Sequence, residues 1–170
     1  MNEISRKKIE ELFHRYGAGV SRYVLLRVGS PELAEEITAR VFLNVVRNFQ
    51  QQNGAVVGWL WAIIRSELSR HFRQHSHLAY PADLASSLPT PSELLERQER
   101  DELLHAALKQ LSDDAQQILS LKFFLDVSNV EIAQTLGLTP SNVGVKLHRA
   151  LRELRELLQN PLAMDSRASF

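Results

Sequence analysis

The chain is expected to be all-α, two small helical domains joined by a flexible linker, and three observations predict this. Apolar residues recur at the 3.6-residue spacing of amphipathic helices along most of the length, while alternating apolar and polar runs are almost absent. Glycine occurs only seven times. From Gln74 to Pro91 the periodicity stops, and Pro81, Pro89, Pro91 and a serine-rich stretch leave little to bury. The expected division is a first domain over 1–75, a linker over 76–92, a second domain over 93–160 and a frayed tail over 161–170.

Each element has its own justification. Residues 3–27 place Ile4, Ile9, Leu12, Phe13, Tyr16, Val20, Tyr23 and Val24 at helical spacing, with Gly17 and Gly19 as expected weak points where the helix bends. Ser30–Pro31 supplies an N-cap and a proline at the first helical position, and Leu33, Ala34, Ile37, Val41, Phe42, Val45 and Phe49 mark one face of a second helix. Gln50 to Ala55 is a polar loop with an Asn53–Gly54 turn signal. A third helix starts near Val56, carries Trp59, Leu60, Ile63, Ile64, Leu68 and Phe72, and ends in Arg70-His71-Phe72-Arg73.

Thr90-Pro91-Ser92-Glu93 forms a capping box that reopens helix, running to about Gln110. Ser112 starts another, with Asp113 and Asp114 in the first turn where the helix dipole favours acids. Ser128 with Glu131 makes a further capping box, and Thr139–Pro140 opens a last helix to about Leu158.

Composition narrows the function. At 44% hydrophobic and 24% charged the chain matches soluble globular protein. No apolar run approaches the roughly 20 residues that span a bilayer, and the first residues lack a secretory apolar stretch, so a cytoplasmic protein without membrane insertion is expected. The absence of cysteine excludes disulfides, thiolate zinc sites and cysteine nucleophiles. His71 and His75 have the i, i+4 spacing of zinc ligands, with His77 nearby, but no carboxylate accompanies them. There is no phosphate-cradling glycine loop, and Asp113–Asp114 is explained by capping. The expectation is a non-enzymatic protein with no metal and no cofactor.

The formal net charge of zero conceals an uneven distribution. Residues 1–75 hold 11 Lys/Arg against 7 Asp/Glu, residues 76–104 hold 2 against 6, and the remainder balances at 7 against 7. Phosphate neutralisation supplies most nucleic-acid affinity, so only the first domain and the last helix have a local excess to offer DNA. The free chain should bind DNA weakly.

The segment "VEIAQTLGLTPSNVGVKLHRAL" has the layout of a helix-turn-helix. That unit needs a small residue where the helices cross, a turn glycine able to take a left-handed conformation and a branched apolar anchor on the second helix. Ala133, Gly137 and Val143 stand at those places, with Ile132, Leu136, Leu138 and Leu147 inside. The second helix would then offer Ser141, Asn142, Val145, Lys146 and Arg149 to a major groove.

The stretch "LSDDAQQILSLKFFLDVSNVEIAQTLGLTPSNVGVKLHRALREL" resembles region 4 of the sigma-70 family of bacterial transcription initiation factors. The first domain, with "ELFHRYGAGVSRYVLLRVGSPELAEEITARVFLNVVRNF" and "GWLWAIIRSELSRHFRQ", is similar to region 2 of the small extracytoplasmic-function (ECF) subgroup. Regions 2 and 4 with a variable linker are that subgroup's whole architecture.

The resemblance implies binding to core RNA polymerase through the second helix, using Glu35, Glu36, Arg40, Asn44 and Arg47. Here Ala39–Arg40 stands where relatives usually carry glutamine and an acid. It also implies capture of minus 10 bases by the loop containing Gln50, Gln51, Gln52 and Asn53, with Arg65, Arg70, His71 and Arg73 toward the nucleic-acid backbone. Trp59 and Trp61 have rings that can stack on bases, although Trp59 shares the apolar stripe of Ile63 and reads as core. At the minus 35 element it implies base reading by the last helix, where Gly144 and Val145 replace the usual lysine and serine, with Lys122 and Arg149 on phosphates. The implied partners are core polymerase, promoter DNA and an anti-sigma factor, with a monomer when free. Two other readings compete: a conventional helix-turn-helix regulator, which would dimerise on a palindrome unaided, and a degenerate sigma-like adaptor that has lost promoter recognition.

Overall fold

The computed structural model describes residues 3–52, 54–74 and 92–159. The first unit is three helices: α1 (Glu3–Val28), α2 (Pro31–Asn48) and α3 (Val56–Gln74), with a 3₁₀ turn over Phe49–Gln51. The second is α4 (Ser92–Gln110), α5 (Asp113–Leu119), a π-helical turn over Ser120–Phe124, α6 (Asn129–Leu136) and α7 (Pro140–Gln159). The expected linker, His75 and His77, the Thr90–Pro91 start signal and the tail lie outside the described residues.

Local chemistry explains the boundaries. Gly29, at φ 74°, bonds its N–H to the Leu25 carbonyl and closes α1, and the Ser30 hydroxyl then accepts from Leu33 N–H to open α2. The Ser112 and Thr139 hydroxyls accept from the N–H groups of Ala115 and Asn142 in the same way. α1 runs as one continuous helix through Gly17 and Gly19.

In the first unit α2 buries Ala34, Ile37, Val41, Phe42 and Val45 against α1, and α3 presents the stripe Val57, Leu60, Trp61, Ile64 and Leu68. Of the stripe expected from periodicity, Leu60, Ile64 and Leu68 are buried, Trp59 and Ile63 pack half-buried at its margin, and Phe72 is exposed. Trp61 is the core tryptophan, 2% exposed with its ring 4.7 Å from that of Tyr23, whereas Trp59 is half-buried with its edge toward Phe49. His71 continues the 57-60-61-64-68 pattern by three residues and is buried at 4% exposure.

In the second unit the π turn is wound one residue wide, with Leu125 N–H bonding to Ser120 O five residues back, and Val127 N–H, six residues past Leu121, closes the end of the turn on the Leu121 carbonyl, both at 3.0 Å. Asp126 follows with φ 51° and releases the chain toward α6. The two units touch directly. α1 packs on the π turn and α3 on α6, so that their apolar residues form one continuous core.

Candidate nucleic-acid interface

The helix-turn-helix is built as its sequence predicts. The Ser128 hydroxyl accepts from Glu131 N–H at 3.2 Å, and the Glu131 carboxylate accepts from Ser128 N–H at 3.3 Å, a complete capping box on α6. Gly137 ends α6 at φ 67°, the left-handed region that costs an ordinary residue a clash with its own backbone. Ala133 and Val143 are buried where the two helices cross, with Ile132 and Leu147 beside them and Leu136 and Leu138 packed at the margin.

This packing turns Ser141, Asn142, Val145 and Arg149 outward on α7, all four exposed. Lys146 shares their face and reaches Asp114 on α5 at 3.3 Å, in an exposed ion pair that holds the ammonium only weakly. Lys122 stands half-buried on the π turn and donates to the Val127 carbonyl at 3.4 Å. Gly144 has nothing within 4 Å of where a Cβ would stand, so close packing does not explain it.

In the first unit Gln50 and Gln51 are exposed on the 3₁₀ turn, while Gln52 is half-buried and donates its amide N–H to Gly54 O at 2.6 Å. Asn53 lies outside the described residues. Arg65 and Arg73 project from one face of α3 and border an open groove with Tyr23 and Arg27. Arg70 is half-exposed and pairs with Glu67 at 3.1 Å. Buried His71 departs from the expected DNA-facing set, because its position on α3 points it into the core.

On α2, Glu35, Glu36 and Arg47 are exposed. Arg40 and Asn44 turn instead toward α3, where the Glu67 carboxylate, buried in the core, accepts from Asn44 Nδ2 at 2.7 Å and faces Arg40 Nε at 3.4 Å. Arg40 also donates to Glu36 at 2.8 Å. The arginine at the position where relatives usually carry an acid thus has a local partner, an acid on the next helix.

Sequence reasoning missed an apolar patch. Phe13 and Leu43 are each 53% exposed, and Val46 lies beside Leu43 on the outer face of α2. The Phe13 ring meets Phe42 edge-on at 4.9 Å. The available signal was that Leu43 and Val46 are apolar yet fall, at about 100° per residue, outside the arc spanned by Ala34, Ile37, Val41, Phe42 and Val45. Among the described residues no group of His, Asp and Glu is placed to hold a metal ion, and no helix is long and apolar enough to cross a membrane.

Comparison with known proteins agrees with this geometry unit by unit. The model described as Sigma-70 region 2 matches residues 12–77, and that of Sigma-70, region 4 matches residues 101–154. The chain is 27% identical over 159 residues to the RNA polymerase sigma factor YlaC of Bacillus subtilis (strain 168), across 89% of this chain and 92% of that protein. It is 26% identical over 158 residues to the ECF RNA polymerase sigma factor BldN of Streptomyces coelicolor, across 86% of this chain and 59% of that longer protein. In fold it is similar to the structure of CnrH in complex with the cytosolic domain of CnrY, with a TM-score of 0.65 at 15% identity, covering 91% of this chain and 89% of that one. With both regions matched in order, one on the three-helix unit and one on the helix-turn-helix unit, the chain belongs to the sigma-70 family of RNA polymerase sigma factors, in the ECF subgroup.

Proposed function

We propose a division of labour for this promoter-directing, non-enzymatic initiation factor. The outer face of α2 binds core RNA polymerase, the loop before α3 captures bases of the minus 10 element, and α7 reads the minus 35 element. The observation that carries the reading is the outward face of α7, where Ser141, Asn142, Val145 and Arg149 stand exposed on a helix anchored by Val143 and Leu147. Asn142 and Lys146 have the donors for base edges, and the Arg149 guanidinium suits a phosphate. Lys122 is assigned to a phosphate at the edge of the same footprint.

For the minus 10 element, flipping a base out costs a few kcal/mol, which the amides of Gln50, Gln51, Gln52 and Asn53 offset by hydrogen bonds to base edges. Arg65, Arg70 and Arg73 hold the strand. For polymerase, Phe13, Leu43 and Val46 supply the apolar centre and Glu35, Glu36 and Arg47 the polar rim, a composition suited to a protein partner rather than to DNA. Arg40 and Asn44 support that face from behind. An anti-sigma factor is the natural competitor for these surfaces, and the factor works as a cytoplasmic monomer until polymerase takes it up.

Titration of labelled protein with core polymerase, followed by footprinting of the complex on promoter DNA, tests the assignment. Protection at two separated elements is expected, and alanine at Asn142 should weaken only the upstream one. Equal loss at both elements would overturn the assignment of α7.

A further inference from the structure

Val145 stands at the centre of the outward face of α7 and is 47% exposed. At about 100° per residue it lies roughly opposite buried Val143, with Ser141 one turn before it and Arg149 one turn after. Every other side chain named for that face is polar. Beside it stands Gly144, with helical backbone, no left-handed φ and nothing within 4 Å of where a Cβ would be. Glycine is, proline apart, the poorest helix former, and β-branched valine is weaker than alanine or leucine. Gly137 and Val143 in the same unit are accounted for, one by its turn and the other by the core. Gly144 and Val145 weaken the helix in succession, and nothing inside the protein calls for either.

What the pair offers a ligand is a branched apolar tip beside bare backbone. The base edges in a major groove are rows of hydrogen-bond donors and acceptors, and the one apolar substituent among them is the C5 methyl group of thymine. An isopropyl group set over the amino group of cytosine or adenine, or over the O6 of guanine, would strip that group of water and return no hydrogen bond. Set over a thymine methyl it removes two apolar surfaces from water at once. Serine, the usual residue at this position, bonds to several base edges, whereas valine suits one.

Gly144 lies about 100° round the helix from Val145, on the flank that carries Leu151. The opposite flank is occupied by Lys146 and Asp114, paired at 3.3 Å, so the room for a close approach is on the Gly144 side. With α7 in a groove, that flank meets a sugar–phosphate wall. A missing Cβ lets the wall come nearer the helix axis, and Val145 moves in toward the base edges with it.

We propose that Val145 is a specificity-determining residue for the upstream element, selecting a thymine through its C5 methyl group, and that Gly144 is the open position that lets the groove wall close on α7 far enough for this contact. The inference rests on the assignment of α7 to the minus 35 element.

The test is selection of transcribed promoters from a random upstream library by core polymerase carrying the full-length chain, wild type beside Val145→Ser and Gly144→Ala. The wild type should recover an upstream element with thymine fixed at one position. In synthetic copies of that promoter, deoxyuridine, which lacks only the methyl group, should weaken holoenzyme binding at that position about fourfold, the contribution of one buried methyl. Val145→Ser should lose the thymine preference and be indifferent to the uridine. Gly144→Ala should melt about 3 °C above the wild type yet bind the selected promoter several-fold less tightly. Uridine tolerated at every upstream position, or a thymine preference kept by Val145→Ser, would overturn the role of Val145. A Gly144→Ala protein that binds as tightly as the wild type would overturn that of Gly144. The uridine comparison needs no protein variant, so it decides even if Val145→Ser folds poorly. Recovery of a downstream element alone would instead refute α7 as the upstream reader, and the thymine contact with it.

Discussion

Glu67 shows how one side chain can be misjudged from its neighbours in sequence. It sits at the buried edge of α3, yet its carboxylate gathers Asn44, Arg70 and Arg40, two of them from α2. Arg40→Met removes the 3.4 Å ion pair while keeping most of the packing, leaving the buried Glu67 carboxylate with one cation fewer. The expected cost is about 1–3 kcal/mol in chemical unfolding. A variant as stable as the wild type would show the bridge to be dispensable and return Arg40 to the polymerase-facing set. Leu43→Asp makes the opposite prediction, because an exposed side chain contributes little to stability. Folding should be unchanged while core polymerase affinity falls roughly thirtyfold, the loss typical of a central interface residue. Neither role was legible in the sequence, since Glu67 is separated from Asn44 by 23 residues and solvent exposure depends on which helix covers which face. The same cause reversed the roles of the two tryptophans and put His71 among the DNA contacts.

Helix starts and stops are decided within a few residues, and they were read correctly for the same reason. Ser30–Pro31, Ser112, Ser128 with Glu131, and Thr139–Pro140 all cap as the sequence indicates. Ser128→Ala should destabilise α6 by about 1 kcal/mol, measured by thermal or urea unfolding. The Glu131 carboxyl is held below the usual range, first by the Ser128 hydroxyl and then by the Ser128 backbone N–H, both of which bond its ionised form. That stabilisation is fully present above the unfolded-state value of about 4.3 and is lost as pH falls through the lower folded value. Unfolding curves of wild type and Glu131→Gln should therefore differ at neutral pH and converge in acid. Gly137→Ala forces a side chain into the left-handed turn between α6 and α7, at a cost of about 1–2 kcal/mol. The π turn at Ser120–Phe124 had no comparable signal, because its apolar residues also suit an ordinary helix.

At the scale of the whole molecule, zero net charge and a DNA-reading role are compatible because the charge is unevenly placed. The excess of basic residues lies in the first unit and in α7, where the proposed phosphate contacts are, and the acids collect elsewhere; on the proposed assignment useful DNA affinity requires polymerase to hold both units on the promoter. The presence of two units and their order were legible from periodicity and capping. Their contact was not, because Arg27 and Asp113, paired at 2.6 Å, are 86 residues apart and the sequence does not mark Gly19, which faces the Phe124 carbonyl, as an interface position. That this chain directs core RNA polymerase to promoters is tested by titration into purified bacterial core polymerase, followed by transcription on a library of random upstream sequences. Tight one-to-one binding, with start sites that share two elements at a fixed spacing, is the predicted result. Failure to bind core polymerase, together with unaided binding of a dimer to a palindrome, would contradict it.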